Sequence, residues 1–262
     1  MIAKQKVMMK RIFALTALCA AMTMTPTAML AGNNLNTAST SSNCADDNPS
    51  RSEWLPEFTG VYVSAAIDIR FVQVADSEAP RILFDTKGDA DTRFKASVDR
   101  HGVLNITERI LRDTRSKTTV VVYYHSLKQI EVSDAYVEFD NPVKENLLRI
   151  DISGGAKLTA EMDVADLEVV LSGKSTRAKL TGRARYVEIE ASSGLLDASA
   201  MEAMSVDVVA SYGAGVAVRV TERLKASAST SATISYRGAP SIIKGRESIL
   251  GGTVKDVNNA SE

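Results

Sequence analysis

The stretch RIDISGGAKL, residues 149–158, alternates charged and apolar side chains and then breaks into Ser153, Gly154 and Gly155. An alternation of period two is typical of a β-strand with one buried face, and serine with glycine is typical of a tight corner. A phosphate-binding loop is a second interpretation, but the G-x-x-x-x-G-K-[ST] spacing is missing and no helical pattern follows the glycines. The stretch is therefore interpreted as a strand and a corner.

Five further segments repeat this pattern. The six copies are QIEVSDA (129–135), RIDISGG (149–155), EVVLSGK (168–174), EIEASSG (188–194), DVVASYG (207–213) and KASASTS (225–231). Their shared serines are separated by 20, 19, 20, 19 and 18 residues. The residues three and one positions before each serine are apolar in every copy, and the residue five positions before it is apolar in five copies. This spacing predicts that each copy is one coil of a repeating structure.

A coil of this length cannot bury its apolar stripe alone, whereas coils stacked about 4.8 Å apart align like residues into one continuous core. The sequence therefore predicts an all-β fold, a parallel β-solenoid or β-helix with repeats of about 19 residues. Alternating segments within residues 56–128 predict N-terminal strands that pack on the stack or cap it. The closing GRESILGGTVKDV, residues 245–257, is expected to cap the other end.

The N-terminal residues 1–31 have the organisation of a signal peptide. Four basic residues precede an apolar run over residues 12–24, and small residues around Ala28 and Ala31 offer cleavage points. No later stretch approaches 18 apolar residues, so no transmembrane segment is expected after cleavage. A lipid anchor on Cys19 is disfavoured, because Leu18 stands where a lipobox has a small residue. We therefore expect export to the periplasm or the cell surface.

The domain organisation follows from the composition. Residues 32–55 are polar and of low complexity, which predicts a disordered linker. Cys44 lies in this linker and is the only cysteine left after cleavage, so no internal disulfide is expected. Residues 56–257 are expected to form one domain, and residues 258–262 a C-terminal tail.

Charge and histidine content narrow the classes of partner and cofactor. A formal net charge of −1 provides no general electrostatic attraction to nucleic acid or acidic lipid. The chain has two histidines, His101 and His125, which argues against a histidine-rich metal site. We expect no cofactor, no metal and no nucleic-acid partner.

Several motifs occur together and in order: FTGVYV near the start, DISGGAKL and VLSGKS in the middle, and ISYRGAP followed by GGTV at the close. In this arrangement the chain resembles the bacterial head GIN domain family, named as putative auto-transporter adhesins, over about residues 56–257. The resemblance implies a β-solenoid-like domain exported by Bacteroides-type bacteria, without established enzymology. The chain departs from the family pattern where glycine is replaced, as at Asp134, Tyr212 and Thr230, which puts the corner geometry of those coils in doubt.

One column of side chains could carry chemistry. Four residues before the shared serine stand Gln129, Arg149, Glu168, Glu188, Asp207 and Lys225. If the register holds, Glu168, Glu188 and Asp207 lie on adjacent rungs and could bind a ligand or calcium, or act as an acid/base pair. The other interpretation is a solvated face flanked by Arg149 and Lys225, since the alternation places the column outside.

Two functions from different classes remain. The chain is predicted to be an exported, non-enzymatic cell-envelope protein, adhesin-like or structural, whose solenoid wall contacts an unidentified protein or glycan. The alternative is a β-helix carbohydrate-active enzyme that uses Glu168, Glu188 or Asp207. A deep groove with closely paired carboxylates would favour the enzyme, and a flat exposed ladder would favour binding.

Overall fold

The structure is a computed structural model that describes residues 51–87, 92–110 and 117–258. These residues form 17 β-strands and no helix. The strands are β1 Arg51–Trp54, β2 Gly60–Ser64, β3 Asp68–Gln73, β4 Arg81–Asp85, β5 Thr92–Val98, β6 Val103–Ile110, β7 Thr119–Tyr124, β8 Gln129–Ser133, β9 Tyr136–Phe139, β10 Val143–Ser153, β11 Lys157–Ser172, β12 Arg177–Ser192, β13 Leu195–Ser211, β14 Gly215–Ser229, β15 Thr233–Arg237, β16 Ile242–Ile249 and β17 Thr253–Asp256. The predicted all-β class is confirmed.

The repeated segments stack in parallel and in the register that the sequence predicts. Ile150 pairs with Ile130 on one side and with Val169 on the other, and the series continues through Ile189 and Val208. We call this set of rungs the first wall; it comprises residues 129–133, 147–153, 166–172, 186–192, 205–211 and 223–229. After the corner, each coil continues into a second wall, residues 136–139, 157–160, 177–180, 195–198, 215–218, 233–236 and 253–256. The predicted parallel solenoid is confirmed.

The central strands extend beyond the seven-residue segments that repeat in the sequence. Strands β11 to β14 have 16, 16, 17 and 15 residues and run from the second wall of one coil into the first wall of the next. Buried and exposed residues alternate along β11 until Ala165 and Asp166, two consecutive residues that are not buried. In β11 this one break turns the chain while the parallel hydrogen-bond ladder continues, whereas β12 and β13 each contain two such breaks.

The apolar positions of the repeat form the core. Leu148, Ile150 and Ile152 are fully buried, and the equivalent residues of the following coils lie in the same columns. Each large aliphatic side chain buried in this way stabilises the fold by about 1.5–3 kcal/mol. In the column directly before the shared serine, the buried residue changes from Leu171 to Ala191, and the later coils keep alanine there. The core therefore becomes thinner towards the C-terminal coils.

A left-handed backbone conformation marks every corner that follows a shared serine. The φ angles are 64° at Asp134, 68° at Gly154, 94° at Gly173, 85° at Ser193, 49° at Tyr212 and 49° at Thr230. The four corners with another residue in place of glycine, at Asp134, Ser193, Tyr212 and Thr230, therefore keep the corner geometry, at a cost of roughly 1–2 kcal/mol per residue. At Asp134 the side chain offsets part of that cost, because its Oδ1 accepts a hydrogen bond from the Gly155 N–H on the next coil, at 3.0 Å.

The N-terminal strands do cap the stack, but two of them also form a coil within it. Strand β2 lies between β6 and β8, and β3 lies between β7 and β9, all in parallel. Ser64 pairs with Ser133, so this coil has the register of the repeat. The antiparallel strands β1, β4 and β5 then close this end, and at the other end β16 pairs with β14 and β17 with β15.

Two predicted boundaries differ from the structure. The linker predicted over residues 32–55 overlaps β1, which pairs with β4 and places Trp54 beside Arg81. At the C-terminus, Asn258 bonds both backbone groups of Gly238: its Oδ1 accepts from the N–H at 2.8 Å and its Nδ2 donates to the carbonyl at 2.6 Å. The folded part therefore includes residues 51–55 and 258. The signal peptide predicted over residues 1–31, Cys19 and Cys44 lie outside the described residues.

Candidate functional site

The predicted carboxylate column lies on the outer face of the first wall. Glu168 pairs with Glu188 in the ladder, and Glu188 pairs with Asp207, so the three carboxylates occupy consecutive rungs. The column continues into Arg149 on one side and Lys225 on the other. The side chains point outward because the neighbouring positions in each strand hold the buried apolar residues.

Charge pairing divides this column into two neutral ends and an acidic centre. Arg149 donates a hydrogen bond to the Glu168 carboxylate, and Lys225 Nζ donates to Asp207 Oδ2 at 2.7 Å. Glu188 lies between the two pairs and forms no hydrogen bond or ion pair through its side chain within the described part of the chain. Glu188 is therefore the carboxylate that remains available to an incoming ligand.

A second column, two residues earlier along each strand, makes the surface amphipathic. It runs from Leu147 through Asp166, Tyr186 and Ser205 to Arg223. Leu147 is 59% exposed and Tyr186 is 53% exposed, which is high for large apolar side chains. Together the two columns line an open depression of about 290 Å³.

The depression combines an aromatic face with polar groups of both signs. Arg185 lies 5.9 Å from the Tyr186 ring centroid and can hold the ring in position. An exposed phenol ring offers an apolar face to the C–H side of a sugar, while Glu188 can accept hydrogen bonds from sugar hydroxyls. The sequence analysis does not place Tyr186 in this column, although its position six residues before Ser192 aligns it with Leu147, six residues before Ser153.

The other tyrosines do not extend this platform. Tyr124 and Tyr236 are buried in the core, and Tyr212 lies at a corner with 70% of its surface exposed. Tyr123 packs under the Arg81 guanidinium, 4.2 Å from the ring centroid. These tyrosines therefore do not form one continuous strip with Tyr186.

The arrangement is an exposed ladder rather than a deep cleft. The carboxylates Glu168 and Asp207 are both paired with cations, and all three carboxylates line one open depression on the outer face of the wall. In residues 51–87, 92–110 and 117–258, no group of three or more His, Cys, Asp or Glu side chains is arranged to hold a metal ion. Within the same ranges, no helix has the length and apolar character needed to cross a membrane.

Comparisons with known proteins agree with this architecture. The family model described as putative auto-transporter adhesin, head GIN domain, matches residues 57–240. A comparison with curated protein sequences finds no match.

Solved structures with the same fold come from bacteria of the genera Bacteroides and Parabacteroides. A putative adhesin from Bacteroides fragilis superposes with a TM-score of 0.70 at 18% identity, covering 81% of this chain and 98% of that chain. A protein from Parabacteroides distasonis described as a putative lipid binding protein gives 0.61 at 16% identity, with the same coverage. A putative adhesin from Parabacteroides merdae gives 0.55 at 18% identity, covering 80% of this chain and 96% of that chain.

Proposed function

The chain belongs to the head GIN domain family of putative auto-transporter adhesins, and from this we propose that it is an exported, non-enzymatic binding module of the cell envelope. Its ligand is a glycan, held on the first wall at Tyr186 and Glu188. The solenoid supplies a rigid platform, because every rung of the wall is fixed by ladder hydrogen bonds to two neighbours.

The exposure of Tyr186 is the observation that carries this proposal. A tyrosine on a sheet face normally packs against its cross-strand neighbours, whereas this ring stands between Asp166 and Ser205, which are too short to cover it. An amphipathic ring on a rigid surface loses little conformational entropy when a ligand stacks on it. The nearby Glu188 supplies the polar contact that orients a sugar.

The enzyme alternative is less well supported by the same geometry. Hydrolysis of a glycosidic bond needs one carboxylate that protonates the leaving group and a second that attacks or activates water, across a cleft that encloses the sugar. Here Glu168 and Asp207 are neutralised by Arg149 and Lys225, and the ladder is open to solvent. Binding to glycans and to an envelope extract in parallel distinguishes a glycan ligand from a protein ligand.

The test is binding of the purified chain to a broad panel of immobilised glycans and to an envelope extract. We expect the natural chain to retain a glycan. The change Tyr186→Ala should lower the affinity for that glycan by on the order of tenfold. Tyr212→Ala is the matched control, because that tyrosine is exposed at a corner away from the depression. Retention of envelope protein but no glycan would contradict the glycan assignment.

The same panel tests the enzyme alternative. We expect no glycan to be shortened on prolonged incubation with the natural chain. Turnover that disappears with Glu188→Gln would instead support the carbohydrate-active enzyme and contradict the binding module.

A further inference from the structure

The outer face of the second wall carries a separate groove of about 570 Å³. Its outward-facing side chains come from consecutive rungs, so their order across the wall is set by the ladder register. Lys157 pairs with Arg177, Arg177 with Leu195, Leu195 with Gly215, and Gly215 with Thr233. Two residues further along each strand, Lys179 lies next to Asp197, and Ala217 next to Ser235.

Three cations lie towards one end of this groove, next to the rung of Tyr136. Within the described residues, the side chains of Lys157, Arg177 and Lys179 form no hydrogen bond or ion pair. Lys157 and Arg177 stand on adjacent rungs, about 4.8 Å apart, and Lys179 is about 7 Å further along its strand. The three positive charges are thus held several ångströms apart on a rigid surface, in a geometry that suits a ligand with several anionic groups.

One carboxylate in the groove offsets part of this charge. A hydrogen bond from Ser199 lowers the pKa of Asp197, and the nearby cations Lys179 and Arg237 lower it further. Asp197 therefore remains ionised at neutral pH and leaves an excess of two positive charges among these four groups.

The remaining rungs of the groove carry small or apolar, uncharged side chains. Ala217, Thr233 and Ser235 present small side chains, so a ligand can approach the sheet closely there. The Leu195 side chain reaches over Gly215, where a Cβ would collide with it. The hydroxyls of Thr233 and Ser235 can bond a hydrated ligand, and the groove is open along its length.

The two walls differ in charge over the same coils. In the coils from residue 147 onward, the outward columns of the first wall carry Asp151, Asp166, Glu168, Glu188, Glu190 and Asp207 against Arg149, Arg223 and Lys225. In the same coils the second wall carries Lys157, Arg177 and Lys179 against Asp197, while Glu138, on the preceding rung, accepts a hydrogen bond from the Tyr136 hydroxyl. A polyanion is therefore repelled by the first wall and attracted by the second, which gives the solenoid one face for such a ligand.

We propose that the second-wall groove binds an acidic polysaccharide, whose carboxylate or sulfate groups pair with Lys157, Arg177 and Lys179. The planar guanidinium of Arg177 can engage one acidic group with two hydrogen bonds, and the two lysines bind neighbouring groups as point charges. The sugar chain then continues over the small residues of the next rungs. An acyl chain in this open groove would keep much of its surface in water, whereas a hydrated sugar chain loses little on binding.

The experiment measures binding of the purified chain to de-esterified oligogalacturonides, which carry one carboxylate per sugar. We expect binding that weakens with added salt, and a loss of about tenfold or more with the double change Arg177→Gln and Lys179→Gln. The change Asp197→Asn should act in the opposite direction and raise the affinity about threefold.

Two controls isolate the groove. The double change Lys128→Gln and Lys174→Gln removes the same charge from exposed positions elsewhere and should leave binding unchanged. The fully methyl-esterified oligosaccharide should not bind. Equal loss in both double variants, binding of the ester, or binding of phosphatidylglycerol vesicles in place of the oligosaccharide would each overturn the proposal. The double change Arg177→Gln and Lys179→Gln leaves Tyr186 and Glu188 in place, so this assignment fails or holds independently of the first wall.

Discussion

The backbone of Gly182 lies directly against that of Met162, its partner on the neighbouring rung. A side-chain carbon added to Gly182 would lie 3.0 Å from the Met162 nitrogen and closer still to the Met162 carbonyl oxygen. Gly182 also has a φ of +96°, a conformation that only glycine adopts without strain. Both the close approach of the two strands and the local bend therefore require glycine at this position.

We predict that Gly182→Ala destabilises the protein by more than about 2 kcal/mol, because backbone strain and a backbone clash add together. Gly213→Ala is the matched control: its φ is +76°, but a Cβ there would have nothing within 4 Å, so a cost of about 1 kcal/mol is expected. Urea denaturation of both variants measures the difference. Equal losses would show that the clash with Met162 relaxes without cost.

Tyr124 is buried beside Phe71 and Phe139, and its hydroxyl has no hydrogen-bond partner among the described residues. Burial raises the pKa of this phenol, with a further contribution from the negative charge of Glu145. We predict that Tyr124→Phe stabilises the protein by up to about 1 kcal/mol, because it removes a desolvated polar group and keeps the ring packing. Thermal or urea unfolding measures this. A loss above about 1 kcal/mol would mean that the hydroxyl bonds a buried water.

His125 joins three separate segments. Its Nε2 donates to the Glu78 carbonyl at 2.5 Å, and its Nδ1 lies 3.1 Å from the Glu57 carboxylate. The hydrogen bond to Glu78 raises the pKa of His125, and the negative charges of Glu57 and Asp76 raise it further. Folding therefore stabilises the protonated, charged form of His125.

Because the folded pKa of His125 exceeds its unfolded value of about 6.5, the stabilisation is complete below about pH 6 and is lost as pH rises through the folded pKa. We predict that urea midpoints fall as the pH rises from about 6 through the folded pKa of His125, and that His125→Gln reduces this fall. His101→Gln, at an exposed position, is the control. An unchanged slope in the His125 variant would contradict this assignment.

Glu188 stands between two other carboxylates in the first wall. Like charges on adjacent rungs repel, so Glu188→Lys should stabilise the fold by up to about 1 kcal/mol and Glu188→Gln by less. Salt at about 1 M should remove most of this gain, because the Debye length falls to about 3 Å. Urea denaturation at low and high salt provides the measurement, and a gain that survives high salt would argue against charge repulsion as its cause.

The first wall could be predicted in register because its pattern is local. Within a rung the side chains alternate with period two. The serine is followed by one left-handed residue in the first three copies and by two in the last three. Leu148, Ile150 and Ile152 therefore identify their partners on all later rungs from sequence alone. The adjacency of Glu168, Glu188 and Asp207 follows from the same alignment, whereas their role as a ligand site stays a prediction.

The second wall could not be aligned in this way. The number of residues from the shared serine to the first outward residue of this wall varies. It is four from Ser153 to Lys157, five from Ser172 to Arg177 and three from Ser192 to Leu195. Corners of different length shift the numbering without disturbing the ladder, because corner residues lie outside it. The cationic cluster therefore has no constant period in the sequence.

The sequence by itself determined the all-β class, the coil length and the inward columns of the first wall, since burial of a repeated apolar stripe permits only one stacking register. The tertiary structure alone decided the order of the coils and the charge of each face. Ser64 and Ser133 pair although they are far apart in the chain, because ladder pairing depends on shape and register and not on sequence distance. For the same reason, Lys157 and Arg177 became neighbours only when their coils were stacked.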